Sequence, residues 1–206
     1  RGPDPSPDRA AIETLLVEGV RAHGLAPLPW DEAARSLRAR AMFLPAIDLS
    51  DATLLARLDE WLPAIVSGKR RLADIDPHAL RQAIENLLDW DQHRALEAAA
   101  PPAFISPLGT HHPIDYAAEG GPAVELRVQA LFGLARHPHV GATPLVLRLT
   151  SPAGRPIQTT RDLPGFWQGS WAAVAKEMRG RYPRHPWPDD PAAAAPTLRT
   201  KRASGP

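Results

Sequence analysis

The sequence predicts an α+β protein: an N-terminal helical region, then a small antiparallel sheet with a covering C-terminal helix, closed by a proline-rich strap. Three observations carry this expectation. Up to residue 100, apolar side chains recur at the three- and four-residue spacing of helices. From Pro101 the period falls to two, as in half-buried strands. Residues 180–191, GRYPRHPWPDDP, hold four prolines, which remove amide donors and fix φ, so this stretch continues neither helix nor strand. The expected organisation is a flexible lead-in at 1–9, a helical region at 10–100, sheet plus helix at 101–190, and a flexible basic tail at 191–206. A chain of 206 residues buries about 70% of its unfolded surface, enough for a real core.

The first helix places Ile12, Leu15, Leu16 and Val20 on one face, with Gly24 as its stop. A second is expected from near Trp30 through Leu37 to about Phe43, with Arg35, Arg38 and Arg40 along its polar side. A third begins after Ser50, a good N-cap, and carries Leu54, Leu55, Leu58, Trp61 and Leu62 at core spacing. In the fourth, Asp76 caps and Pro77 suits the first turn, where its missing amide costs nothing. Leu80, Ala83, Ile84, Leu87 and Leu88 form its apolar stripe. DWDQHRALEAAA is expected to continue as helix until Pro101 and Pro102 end it, and KRR at 69–71 reads as a solvated loop.

In the second half, AVELRVQ sets Val124, Leu126 and Val128 on one face and Glu125, Arg127 and Gln129 on the other. PLVLRLTSPAGRPIQTT predicts a hairpin. Leu145, Leu147 and Leu149 alternate, SPAG turns the chain, and 157–160 returns, with Pro152 and Gly154 supplying the turn's φ values. A shorter hairpin is expected around Gly109. A last helix from about Pro164 to Arg179 carries a stripe of Trp167, Trp171, Val174 and Met178, ended by Gly180 at C′ and by Pro183. In the strap, Tyr182, His185 and Trp187 lie on a stiff extended track and are expected to pack beside Trp167 and Trp171. Pro183 and Pro186 also form P-x-x-P, a pattern that any proline-rich strap shows by chance.

Composition narrows the function. No phosphate-binding loop, dinucleotide fingerprint or nucleophile elbow occurs, so no catalytic residue is nominated. With no cysteine there is neither a disulfide nor a thiolate metal site. His111, His112, His137 and His139 lack the spacing of structural zinc, and no metal is expected. No apolar run approaches the roughly 20 residues that span a bilayer, and RGPDPSPDRA lacks an apolar signal core, so no membrane association and a cytoplasmic location are expected. No residue pattern signals an oligomeric state.

Charge is the positive signal. Residues 1–100 carry 12 Lys and Arg against 16 Asp and Glu, whereas residues 101–206 carry 12 against 7. A phosphate-attracting surface is therefore expected in the second half. Its candidate nucleic-acid-binding residues are Arg155 at the hairpin turn, Arg161 before the last helix, and Lys176, Arg179, Arg181 and Arg184 around that helix's end. The alternative for these last four is that they complement the negative end of the helix dipole. Arg199, Lys201 and Arg202 add salt-sensitive attraction to nucleic acid.

Two long blocks carry a family resemblance. LTSPAGRPIQTTRDLPGFWQGSWAAVAKEMRGRYPRHPWPDDP at 149–191 and LAPLPWDEAARSLRAR at 25–40 resemble the C-terminal region of the bacterial DEAH-type, ATP-dependent RNA helicase family HrpB. LLARLDEWLPAIVSG, LLDWDQHRALEAAAP, IDYAAEGGPAVELRVQALFGL and TPLVLRLTSPAGRP follow in family order, so the resemblance covers roughly residues 8–202. It implies a C-terminal accessory module whose parent hydrolyses ATP with Mg²⁺ in a helicase core. The P-loop and acidic box of that core are not in this chain, which needs no cofactor of its own. The resemblance implies the helicase core in cis as partner and RNA or other single-stranded nucleic acid as ligand. A docking or structural module with no direct RNA contact is the alternative.

Overall fold

The computed structural model describes residues 7–201, so 1–6 of the expected lead-in and 202–206 of the expected tail, Arg202 included, lie outside the described residues. The chain forms two compact units, Arg1–Ala100 and Pro101–Pro206. No helix among the described residues is long and apolar enough to cross a membrane.

The first unit is helical: α1 Pro7–His23, α2 Glu32–Ala41, α3 Asp51–Ala56, α4 Leu58–Val66, α5 Pro77–Glu85 and α6 Trp90–Ala99, with a 3₁₀ turn at Leu72–Asp74. Helix α1 packs on α4, and α5 on both α4 and α2. The starts follow the sequence, because short polar side chains satisfy amides that have no intrahelical partner. Asp31 accepts from the Ala34 amide at 2.7 Å, Ser50 from Thr53 at 3.3 Å and Asp76 from His78 at 3.1 Å. Leu54, Leu58, Leu62, Leu80 and Ile84 are fully buried.

Four expectations for this unit change. Leu15 is 71% exposed and Val17 faces inward in its stead, while Val20 is buried as expected. The helix expected from Ser50 onward breaks at Arg57 (φ −100, ψ 15) into α3 and α4. There the indole of Trp61 donates to the Leu54 carbonyl at 3.0 Å, taking the acceptor that the Leu58 amide would use in an unbroken helix. The stripe of α5 does not run on to Pro101. Asp89 restarts the chain as α6 with a capping box, its carboxylate taking the Gln92 amide and the Gln92 side chain taking its own. Arg40, expected on a polar face, is buried and donates to the Ala100 carbonyl and to Glu97, each at 2.6 Å.

The second unit joins strands to two helices. Strands β1 Ala103–Ile105 and β2 His111–Pro113 pair antiparallel around Gly109, whose φ of 82 suits glycine. Strands β3 Ala123–Arg127, β6 Val146–Thr150 and β7 Pro156–Thr160 form a sheet in the order β3-β6-β7, and β4 His139–Val140 pairs with β5 Thr143–Pro144. The hairpin β6–β7 is antiparallel as expected, with Gly154 at φ 78. The pairing of β3 with β6 is parallel, so the sheet is mixed rather than antiparallel. A parallel pair needs a long crossover; here residues 128–145 supply it through a buried 3₁₀ turn, Val128–Leu131, and the β4–β5 pair. In register, Val124 faces Leu147 and Leu126 faces Leu149 on the buried side. Glu125 with Arg148 and Arg127 with Thr150 share the other.

The helix expected at 164–179 is two helices, α7 Leu163–Gln168 and α8 Trp171–Arg181, broken at Gly169. Asp162 caps α7 through the Gly165 amide at 3.0 Å. Gly180 lies inside α8 and is not its stop. The helix ends at Tyr182, whose amide bonds the Met178 carbonyl at 2.7 Å before Pro183. Trp171, 1% exposed, meets Trp167 at 5.2 Å, Phe132 at 5.6 Å, Phe166 at 6.0 Å and Trp187 at 6.2 Å between ring centres.

The strap docks where the sequence suggests. Trp187 is buried and donates to the Tyr182 carbonyl at 3.0 Å, while Trp171 donates to the Pro188 carbonyl at 2.9 Å. The Gly133 amide bonds the Pro191 carbonyl at 2.8 Å, and a Cβ on Gly133 would stand 3.0 Å from the Ala194 carbonyl oxygen. Residues 191–201 thus begin with a buried proline and pass close to Gly133.

Candidate nucleic-acid interface

The six nominated cations separate by what holds them. Arg155 and Arg181 line one cavity of about 130 Å³ with Ser151, Glu177 and Tyr182. The β6–β7 turn builds one wall: the Ser151 amide bonds the Arg155 carbonyl at 2.8 Å, and the Arg155 amide returns to Ser151 Oγ at 3.2 Å. The last turn of α8 builds the other, bringing the Tyr182 hydroxyl within 3.3 Å of Ser151 Oγ. Arg155 makes no ion pair among the described residues. Arg181 pairs with Glu177 at 3.3 Å, with both side chains more than half exposed, a pair that contributes little in water.

Lys176 and Arg184 are exposed and make no ion pair among the described residues. Arg179 is committed elsewhere, donating to the Trp187 carbonyl at 2.6 Å and to Asp189 at 2.7 Å, so it fastens the strap. Arg161 donates to the Gly120 carbonyl and lines a cavity of about 480 Å³ with Arg148, Glu119 and Asp162. The structure therefore brings Arg155 and Arg181 together, leaves Lys176 and Arg184 without an ion pair among the described residues, and uses Arg161 and Arg179 as ties.

Two further cations lie in the same unit. Arg127 is exposed and Arg148 half-buried on the polar face of the sheet, and neither makes an ion pair among the described residues. The alternation of VELR and VLRL carries the signal for both, since each arginine falls on the polar side of its strand.

The histidines serve the fold. His137 bonds the Leu145 carbonyl at 2.7 Å through Nε2, while its Nδ1 accepts from the Leu163 amide at 3.0 Å, the first residue of α7. Burial pushes its pKa below the ordinary histidine value. His112 is also lowered, by burial and by the neighbouring His111, and it bonds the Thr110 hydroxyl at 2.7 Å. Gln129, fully buried, lies 3.1 Å from His185 Nδ1 through its amide nitrogen, and its Oε1 has no hydrogen-bond partner. No group of three or more potential metal ligands gathers among the described residues.

Comparisons with known proteins agree on one family. The family described as ATP-dependent helicase C-terminal, HrpB_C, matches residues 61–191. The chain is 41% identical over 207 residues to the ATP-dependent RNA helicase HrpB of Escherichia coli (strain K12), covering 96% of this chain and 26% of that protein. Among solved structures, that of the E. coli DExH-box NTPase HrpB superposes with a TM-score of 0.81 at 40% identity, over 98% of this chain and 25% of the other. The E. coli DEAH/RHA helicase HrpB gives 0.70 at 37% identity, over 89% and 24%. The chain thus spans about a quarter of the length of the relatives it matches.

Proposed function

The chain belongs to the HrpB family of ATP-dependent helicase C-terminal regions, and on that premise we propose that its second unit is an accessory nucleic-acid-binding module. It holds the sugar–phosphate backbone of single-stranded RNA while a helicase core in the same protein supplies ATP and Mg²⁺ chemistry. The observation that carries this reading is unpaired positive charge. Arg127, Arg148, Arg155, Lys176 and Arg184 lie in one unit and make no ion pair among the described residues. A fold that needs its cations for stability pairs them; unpaired guanidinium groups remain available to phosphate oxygens, which they bind in bidentate fashion.

The work expected of such a surface is retention. Each cation that neutralises a phosphate releases a condensed counterion, so affinity falls steeply with salt and depends little on base sequence. A helicase that loses its grip between ATP cycles is kept on its strand by such a surface. Binding of a fluorescent oligouridylate by the chain, measured across a salt series, tests this. Neutralising Arg155, Lys176, Arg181 and Arg184 together should flatten the slope by about 0.7 for each phosphate no longer neutralised. Salt-independent binding, or none, defeats the reading.

A second reading rests on the first unit, where Trp90 is 68% exposed beneath Arg94, 4.5 Å from the ring centre, and Met42 is 85% exposed. Exposed aromatic and thioether groups of this kind suit docking on protein. If RNA binding is absent and Trp90→Ala weakens association with the helicase core, docking is the module's function.

A further inference from the structure

The cavity between the β6–β7 turn and the end of α8 is more organised than scattered surface charge requires. We propose that it is a subsite for a single phosphate group, an inference that rests on the RNA reading above. At about 130 Å³ it is well below the roughly 300 Å³ at which pockets for drug-sized ligands begin, and a phosphate group fits within it. Its polar groups are those that phosphate recruits: two guanidinium groups from separate elements, Arg155 and Arg181, and the hydroxyls of Ser151 and Tyr182. Ile157, Val174 and Met178 complete the wall. These apolar groups form the floor of the cavity, while the two guanidinium groups stay exposed at its mouth and open to a ligand.

The two arginines are poised unequally. Arg155 has no ion pair among the described residues, and Arg181 meets Glu177 at 3.3 Å with both side chains more than half exposed, a pair that an incoming anion can displace. Ser151 is 2% exposed and its hydroxyl is held by the Arg155 amide, so the turn is fixed before any ligand arrives. Glu177 is the one carboxylate on the lining and it opposes an anion. Binding therefore exchanges Glu177 for a phosphate oxygen as the partner of Arg181, and Glu177 acts as the stand-in anion of the empty site.

A phosphate group reaches this cavity either as a diester within an RNA backbone or as a monoester at a strand end. The chemistry recognised is the same, and the test separates the two. The whole 206-residue chain is titrated with one oligouridylate carrying either a 5′-hydroxyl or a 5′-phosphate, and separately with inorganic phosphate. Anisotropy reads affinity, and NMR follows the Arg155 amide and the arginine Nε–H signals.

R155Q and R181Q should each weaken RNA binding about fivefold and lower the salt slope, whereas R70Q, on an exposed loop of the helical unit, changes it less than about twofold. E177Q should strengthen binding about twofold, because it removes the opposing charge while keeping the side chain's size. A preference of tenfold or more for the 5′-phosphate assigns the cavity to strand ends; equal affinity assigns it to the backbone. If R155Q and R181Q, shown by melting to be folded, bind RNA like the parent chain, or if E177Q fails to strengthen binding, the subsite is overturned while the RNA reading stands. If the parent chain binds no RNA, the RNA reading falls and inorganic phosphate decides the cavity. Shifts at Arg155 and Arg181 that vanish in R155Q support it, and their absence overturns it.

Discussion

The helical and sheet units place the same residue types in opposite uses. In the helical unit Arg9, Arg21, Arg38, Arg40, Arg57, Arg71 and Arg81 each face a carboxylate, Arg38 also covers Trp30 at 4.9 Å, and Arg35, Arg70 and Arg94 make no ion pair among the described residues. Its tryptophans stand apart, with Trp61 buried and Trp90 exposed. In the sheet unit the tryptophans converge, Trp167, Trp171 and Trp187 meeting around Trp171, and each indole donor finds a backbone carbonyl. There only Arg179 and Arg181 form ion pairs among the described residues. In that unit Arg161 and Arg179 tie down backbone carbonyls, while Arg127, Arg148, Arg155, Lys176 and Arg184 make no ion pair among the described residues.

The contrast breaks most sharply at the aromatic cluster. Trp171→Ala should lower the stability of the sheet unit by about 3–5 kcal/mol, since four neighbouring rings lose a fully buried partner; Trp90→Ala should change stability by less than about 0.5 kcal/mol in urea melts. Trp187→Ala is expected to cost about 2–4 kcal/mol, and an unshifted melt would mean that the strap is not part of the core. Arg40→Ala tests the opposite use of charge. It strands the buried Ala100 carbonyl, and a loss of about 1–3 kcal/mol in the helical unit is expected.

Acid should separate the units next. Because burial lowers the pKa of His137 in the folded state, its neutral form is favoured there. Its contribution is complete above the ordinary value of 6.5 and is lost as pH falls through the lower folded value. In the helical unit, hydrogen bonds from Thr53 and Ser50 hold Asp48 at about 2 against its usual 3.8, so its contribution fades only as pH falls from there towards 2. A pH series followed by tryptophan fluorescence and far-UV circular dichroism should show the sheet unit weakening first, and H137Q should flatten that early phase. The smallest stability effects belong to Lys176→Ala and Arg184→Ala, within about 0.5 kcal/mol, and a larger loss would mean that these cations support the fold.

What was legible in the sequence was local. Asp76-Pro77 starts a helix and Gly154 and Gly109 turn hairpins because each preference acts within a few residues. The proline strap and its tryptophan were legible for the same reason. What escaped depends on distant partners. Arg40 lies on a helix whose pattern makes it polar, yet its acceptor is 60 residues away. The parallel partner of Ala123–Arg127 follows a crossover with no helix to announce it. Helix breaks at Arg57 and Gly169 arise where apolar periodicity continues across them, so periodicity alone joins the pieces. Within the candidate site, the charge surplus singles out no residue, and only the fold distinguishes Arg155, which has no ion pair among the described residues, from Arg179, which is spent on Trp187.

The bond between the Gly133 amide and the Pro191 carbonyl sets a clock on synthesis. The helical unit's last tie, Arg40 to Ala100, is available once residue 100 has emerged. The sheet unit's aromatic cluster closes only when the strap arrives, about 90 residues later, which at roughly 5–20 residues per second is roughly 5–20 s of translation. Trp167 and Trp171 themselves wait for the lid of Trp187 and Pro188 only over the last roughly 20 residues of that interval, about 1–4 s at the same rate, so their exposure is confined to its end.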